Sequence, residues 1–458
     1  MDKNIILNAD SYKASHYSQY PDNTQYISCY IEYRDKTIQE AIFFGLQAFL
    51  KEYISKPIVS SDIKEAEDFL QAHGLPFNKP AWEYILQKHG GFLPLEIEAP
   101  LEGTSIPSRN VMLQVINTDP ICFWLPCYVE TAILRAIWYP VSVATLSFNC
   151  KKVITRFLLE TSGSAESADW KLQDFGARGA SSYETAAIGG MGHLLSFQGS
   201  SNMPAILAAR RYYGESMAGY AIPAAEHSTI ITWSPDNEST AYRHILDTFR
   251  KSHNIVAIVS DSYNLWNALD SIWGDELREH VMNSGGTLVI RLDSGKPIEV
   301  VPKSIEILME KFGYTTNPIG YKVLPSYLRV LQGDGVDLKG IEAILQAMKE
   351  RGQSAENIAF GMGGALLQKL NRDTMQFAMK PSSVCIDNHL YGVAKTPFTD
   401  INKHSKKGRL ALVKSYNDDV QTVQLAELHN RENLLKPVFR NGQLLNEQTF
   451  VEIRSRIK

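Results

Sequence analysis

The sequence predicts an α/β protein: a TIM-like α/β barrel, irregular or incomplete, plus a flanking α+β domain made from both chain ends. Three observations carry that expectation. Through the middle of the chain, apolar runs of strand length alternate with helical stretches, the pattern of a parallel sheet with crossover helices. The run Thr287-Leu-Val-Ile-Arg-Leu-Asp-Ser-Gly295 is apolar until its charged end, as a strand covered on both faces must be. Each such run also ends in acid or glycine: Ser260-Asp261, Arg291-Leu-Asp293, Gln332-Gly-Asp-Gly335 and Gly361-Met-Gly-Gly364. A barrel gathers its chemistry at the carboxyl ends of its strands. An open doubly wound sheet uses the same edge, but no single GxGxxG crevice dominates here.

At 458 residues the chain is long for one domain, and its 44% hydrophobic content suits a full globular core. Lys+Arg 46 against Asp+Glu 50 leaves a formal charge of −4, which gives no global reason to expect nucleic acid or an anionic membrane as partner. Cys29, Cys122, Cys127, Cys150 and Cys385 form no CxxC pair, so they read as reduced, mostly buried thiols of a cytoplasmic protein, with no zinc site. Ile5-Ile6-Leu7 is too short for a signal-peptide core. The apolar stretch from Pro120 to Cys150 is broken by Glu130, Arg135 and three prolines, and is expected as a buried helix or subunit-contact helix. A membrane span needs about 20 predominantly apolar residues.

In chain order, Asp10 or Ser11 starts a short helix or a contact loop. Residues 41–55 and 62–72 have helical period, and 93–117 reads as short strands. From 146 the alternating pattern begins. Strand 255–261 leads to a helix near 264–283, 287–293 to one near 299–312, 327–333 to one near 338–351, and 358–364 into 365–370. Beyond 380 the pattern lapses into short strands around the basic run Lys403-His-Ser-Lys-Lys-Gly-Arg409. The expected domains are therefore 1–145 together with 381–458 as the flanking α+β domain, and 146–380 as the barrel.

Several clusters have chemical potential, each with a plainer alternative. Gly333-Asp-Gly335 and Gly361–Gly364 suit phosphate binding at βα turns, or simply supply turns needing positive φ. Arg372, Lys380, Lys395 and Lys403 downstream favour phosphate. Phe175 and Arg178 are able to stack a flat ring and clamp a phosphate, or are a core Phe and a solvated Arg. His227, beside Glu226, suits proton transfer or phosphoryl acceptance, yet a lone His is more often structural. No HxH or HxxxH partner accompanies it, which disfavours a metal. Asp261 and Asp293 suit acid/base work, magnesium, sugar hydroxyls or a developing cation, and spacing alone does not choose.

Taken together, Asp10-Ser-Tyr-Lys, Thr118-Asp-Pro, Asp174-Phe-Gly-Ala-Arg-Gly, Pro223-Ala-Ala-Glu-His-Ser-Thr, Val259-Ser-Asp-Ser-Tyr, Ile290-Arg-Leu-Asp-Ser-Gly, Gln332-Gly-Asp-Gly-Val-Asp, Gly363-Gly-Ala-Leu-Leu-Gln-Lys-Leu and Ser405-Lys-Lys-Gly-Arg-Leu resemble the nicotinamide phosphoribosyltransferase family over nearly the whole chain. The resemblance implies a pentosyltransferase of NAD salvage. It would join a pyridine base to phosphoribosyl pyrophosphate, release pyrophosphate, and work as a homodimer with shared active sites. It implies that Phe175 and the second subunit's Tyr12 stack the pyridine, with Asp10 nearby. Arg291 and Asp293 would flank base and ribose, supported by Asp261. Gly333, Asp334, Gly363 and Gly364 would hold ribose and 5′-phosphate. Arg34, Arg178, Arg372, Lys380, Lys395 and Lys403 would surround phosphate and pyrophosphate. His227 matches the histidine that the family phosphorylates from ATP. Magnesium is expected with phosphoribosyl pyrophosphate, without direct protein ligands.

One position departs from the pattern. Ser201 stands where nicotinamide-using members carry Asp, and Gly199–Asn202 resembles the Gly-Thr-Ser-Asn of nicotinate-using relatives. A serine hydroxyl is able to donate to a carboxylate or accept from an amide. Nicotinamide is the expected base and nicotinate the alternative. Two other readings compete: a metal-dependent barrel lyase or hydrolase built on Asp261 and Asp293, and a non-enzymatic binding protein.

Overall fold

The computed structural model describes residues 4–249, 253–415 and 420–457. The chain divides into two compact units. One comprises Met1–Thr145, Arg211–Glu215 and Asn371–Lys458; the other comprises Leu146–Arg210 and Ser216–Leu370.

The Leu146–Leu370 unit is mixed α/β. Its six strands lie in the order Gly199–Ser200, Leu172–Asp174, Ile358–Met362, Leu328–Gln332, Thr287–Leu292, Ile255–Val259, and every neighbouring pair is parallel. The two edge strands are each bridged to one further segment, residues 220–225. Tyr220 bridges Gly199 and Ala224 bridges Ala257. Ser200 N–H donates to Tyr220 O at 2.9 Å, and Ala257 N–H donates to Pro223 O at 2.9 Å.

The helices follow from apolar spacing. Pro297–Phe312 buries Val301, Ile305, Leu308 and Phe312, and Leu338–Glu350 buries Ile341, Ile344, Leu345 and Met348. Residues three and four apart share a helix face, so each helix lays one apolar stripe on the sheet. The strand residues facing them, among them Ile258, Leu288, Ile290 and Val330, are buried. Opposite, Ala257, Val289 and Leu331 form a separate small cluster with Phe175 and Ala359. The last expected helix, 365–370, is only Gly364–Leu367.

The other unit is organised on a seven-stranded sheet that draws on both chain ends. Thr24–Glu32 pairs antiparallel with Ala378–Ile386 on one side and Leu113–Asn117 on the other. Residues 371–380, expected in the barrel, belong to this unit instead. Ala378–Ile386 is one continuous strand, with Lys380 opposite Tyr30, and a boundary at 381 would cut through it. Residues 41–55 do not form one helix. Glu40–Ile42 is a strand, and helix begins only after Gly45, whose φ of +100° excludes a side chain. A Cβ on Gly45 would also lie 2.5 Å from Pro140 Cγ.

The apolar stretch after Pro120 forms most of the helix Glu130–Ser162. Among the described residues it alone is long and apolar enough to cross a membrane, but 72% of its most apolar window is buried within the protein.

Candidate active site

The carboxyl ends of the parallel strands place Phe175, Ser201, Asp261, Arg291, Asp293, Gly333 and Gly363 along one edge. Register makes some of them neighbours. Asp174 pairs with Ser200 and with Met362, so Phe175, Ser201 and Gly363 follow side by side. Val259 and Leu331 flank Arg291.

Arg291 is the centre of this edge. Its Nε donates to Asp293 Oδ1 at 3.0 Å and its Nη2 to Asp293 Oδ2, a bidentate pair that fixes the guanidinium plane. Both side chains are nearly buried, at 11% and 13% exposure. The guanidinium carbon lies 5.5 Å from the centroid of the Phe175 ring, within cation–π range. Two glycines make room for the group. A Cβ on Gly361 would lie 2.2 Å from Phe175 Cε2, and one on Gly333 would lie 2.3 Å from Asp293 Oδ1. Gly335, by contrast, needs its positive φ of 67°. The sequence shows a glycine at each place, not which of these needs it meets.

Phe175 and Ser201 are braced from below. Asp174 is fully buried. Its Oδ1 accepts from Gly176 N–H at 2.7 Å and its Oδ2 from Asn202 Nδ2 at 2.9 Å. Ser201 N–H donates to Asp174 O at 3.1 Å, and the Ser201 residue is exposed. Asp174 and Asn202 stand in the motifs quoted above, but only their contacts reveal them as braces.

His227 opens the short helix His227–Ile231, and its Nε2 lies 3.1 Å from Asp261 Oδ1. The Asp261 side chain is 3% exposed and the imidazole 40%, so a buried acid orients a half-open ring. Behind it, Trp273 Nε1 donates to Ser260 Oγ at 3.0 Å and stacks on Tyr242 at 4.7 Å. Arg178 is 76% exposed and reaches Glu226 only at 4.0 Å. Asp334 is exposed beyond its strand, where its carbonyl accepts from Gln332 Nε2 at 2.7 Å. Gly363 precedes a four-residue helix, too short for a substantial macrodipole, so an anion there would meet backbone N–H groups rather than a helix field.

The expected phosphate cations do not follow those glycine turns. Arg34, Arg372, Lys380, Lys395 and Lys403 all lie in the other unit. There Arg34 is buried, its Nε bonded to Glu32 at 2.7 Å, while its Nη2 is buried with no hydrogen bond to any described residue. Burial, with the nearby Arg34, Lys13 and Lys395 charges, holds the Lys380 ammonium below its ordinary pKa, partly offset by Glu130. Crowded cations, one with a spare buried donor, are what an anion would relieve. Lys13, outside the expected site set, joins this cluster through its bond to Glu130. Arg372 and Lys403 are exposed and pair with Asp373 and Asp400 beside them. Tyr12 is 55% exposed on the Ser11–Ser18 turn, and Asp10 Oδ2 accepts from Thr131 Oγ1 at 2.7 Å.

Residues 170–443 match the model of the nicotinate phosphoribosyltransferase family, and residues 4–97 match the N-terminal domain of nicotinamide phosphoribosyltransferase. A nicotinamide phosphoribosyltransferase of Xanthomonas campestris pv. campestris is 45% identical over 458 residues, covering 99% of this chain and 97% of the relative. The chain belongs to the nicotinamide phosphoribosyltransferase family. A second nicotinamide phosphoribosyltransferase, from Acinetobacter baylyi, is 32% identical and covers 98% and 96% of the two chains. Among solved structures, the nicotinate-nucleotide pyrophosphorylase of Pyrococcus furiosus aligns over 100% of this chain and 95% of its own, with TM-score 0.64 and 16% identity. Human nicotinic acid phosphoribosyltransferase aligns over 98% and 93%, with TM-score 0.55 and 16% identity. These two likenesses show a shared fold. In this chain the residue at position 201 is serine, at the strand end next to that of Phe175.

Proposed function

We propose that this chain transfers the phosphoribosyl group of phosphoribosyl pyrophosphate to nicotinamide, yielding nicotinamide mononucleotide and pyrophosphate. The observation that carries this reading is the Phe175–Arg291–Asp293 group at the strand ends, in a chain 45% identical over its length to a nicotinamide phosphoribosyltransferase. Phe175 offers one face for a pyridine. The ring nitrogen attacks C1 of ribose as its bond to pyrophosphate breaks, through an oxocarbenium-like state. Carboxylates at the strand ends stabilise that charge, and holding base and sugar in line supplies proximity.

The bidentate Asp293 supports nicotinamide over nicotinate. A lone Arg291 would select an anionic ring substituent. Paired, it keeps donor N–H groups with little net charge, which suits a neutral carboxamide oxygen. Nicotinate remains the second reading because Ser201 lies beside Phe175 without the family's acid. The ratio of kcat/KM for the two bases, with pyrophosphate release followed, tests both; a clear preference for nicotinate overturns the first. Ser201→Asp is expected to lower kcat/KM for nicotinate at least about 10-fold, roughly 1.4 kcal/mol, with little change for nicotinamide.

Further assignments rest on the resemblance. Gly333, Asp334, Gly363 and Gly364 hold ribose and 5′-phosphate. Arg34, Arg178, Arg372, Lys380, Lys395 and Lys403 hold phosphate and pyrophosphate. Magnesium carried by the diphosphate of the substrate would supply positive charge to the leaving group, beside the cations named above. Asp261 holds the proton on His227 Nε2, leaving Nδ1 with the lone pair that accepts the terminal phosphoryl of ATP as ADP departs. We read the bridged six-stranded sheet as an irregular TIM-like barrel closed by residues 220–225, and the sheet built from both chain ends as the flanking domain. The working form is a homodimer in which Tyr12 and Asp10 serve the partner's site.

A further inference from the structure

Cys29 lies on the strand Thr24–Glu32 and Cys127 in the short helix Leu125–Tyr128. They are 98 residues apart in the chain, and their sulfurs are 3.3 Å apart. A disulfide bond is about 2.05 Å long, so closing this gap takes roughly 1 Å of travel. Cys29 is 1% exposed and Cys127 9%.

The pair is not simply two thiols packed in a core. Tyr20 hydrogen-bonds Cys127, and Lys13 lies close enough to act on it. Hydrogen bonding from Cys29, then from Tyr20, with the Lys13 charge behind them, draws the Cys127 thiol below its ordinary pKa against the effect of burial. Cys29 moves the opposite way, raised by its bond to Cys127 and by burial. Cys127 is therefore the more readily deprotonated sulfur of the pair, the asymmetry that thiol oxidation uses. The other buried thiols lack it: burial pushes Cys122 up to about 12 and Cys150 higher still.

We propose that Cys29 and Cys127 form an oxidation site that closes to a reversible disulfide with a small peroxide. The Cys127 thiolate attacks one peroxide oxygen, the O–O bond breaks, and the departing oxygen leaves as water after taking a proton. Cys127 is then a sulfenic acid. The Cys29 sulfur attacks it, the S–O bond breaks, and the hydroxyl leaves with the Cys29 proton as a second water. Two thiols and one hydrogen peroxide give one disulfide and two waters. The bond would tie the short helix Leu125–Tyr128, whose Cys127 lies three residues before Glu130, to the strand Thr24–Glu32. Glu130 holds Lys13, so the cross-link reaches the cation cluster around Lys380.

The test is a peptide map of the folded, full-length protein treated with hydrogen peroxide, quenched, and alkylated in denaturant. The expected result is a Cys29–Cys127 linked peptide lighter by two hydrogen atoms, reversed by dithiothreitol, with Cys122, Cys150 and Cys385 alkylated. Cys385→Ser is expected to leave the link intact, and Cys127→Ala to abolish it. Recovery of Cys29 and Cys127 as free thiols from the treated native protein overturns the proposal, as does a link that forms only after unfolding or through Cys385. The wild-type map decides even if Cys127→Ala does not fold. It is read without any assay of phosphoribosyl transfer, so it stands apart from the proposed function.

Discussion

Gly361 shows how a residue with no side chain sets the geometry of a site. Its missing Cβ is the space the Phe175 ring occupies. Adding one methyl there forces the ring to swing, because packed interiors absorb extra volume at a cost of about 1–3 kcal/mol. Gly361→Ala is expected to keep the fold and raise KM for the base about 10-fold or more, checked by steady-state kinetics alongside thermal melting. A melting curve shifted far down with unchanged KM would show that the glycine serves packing and not the ring. This kind of role is the least legible from sequence. Phe175, Arg291 and Asp293 stand out as residue types able to do chemistry, whereas Gly361 looks like any turn glycine until the ring is seen against it. Asp174 and Asn202 are hidden for the same reason, since a brace is defined by its partners.

At the scale of elements, strand and helix period were readable because burial imposes them. The runs 287–293 and 327–333 are strands within a residue or so of expectation, and 338–350 is a helix with the expected apolar stripe. Boundaries set by pairing were not readable. Ala378–Ile386 joins the sheet of the first chain segment through partners more than 340 positions away, Thr24–Glu32, which local pattern does not record. The amino end of the Leu172–Asp174 strand holds another unreadable feature. Lys171 is buried and donates from Nζ to Glu356 O at 2.9 Å; burial, and then the Arg329 charge, pull its pKa down to about 7 from 10.5. Its folded-state pKa lies below the unfolded value, so the unfolded chain binds the extra proton. Stability is therefore lost as pH falls from 10.5 towards 7, at about 1.4 kcal/mol per unit. Lys171→Met is expected to gain on wild type as pH falls through that window, with the difference shrinking towards pH 10.5. Urea unfolding at several pH values checks it, and a constant difference would refute the buried-charge account.

For the whole molecule, the sharpest expectation concerns the proposed homodimer. If Tyr12 completes the partner's pyridine site, Tyr12→Ala and Phe175→Ala each inactivate their own homodimer. A mixed dimer then holds one doubly altered site and one intact site. Coexpression of the two variants is expected to restore up to about half the wild-type activity per mixed dimer, since one of its two sites is whole. Activity of a mixture no higher than either variant alone would remove Tyr12 from the shared site. The 55% exposure of Tyr12 leaves its ring accessible for such a role.

The segment bridging the two edge strands carries a last consequence. It runs directly into Glu226 and His227, so the loop bearing the proposed phosphoryl acceptor is hydrogen-bonded to Gly199–Ser200 on one side and Ile255–Val259 on the other. Slow amide exchange should reveal this as one clasp. The N–H groups of Ser200, Tyr220, Ala225 and Ala257 are expected to exchange together, at one shared opening free energy, in deuterium-exchange mass spectrometry. Exchange of Ala225 far ahead of Ala257 would mean that the loop opens alone and that His227 moves independently of the sheet.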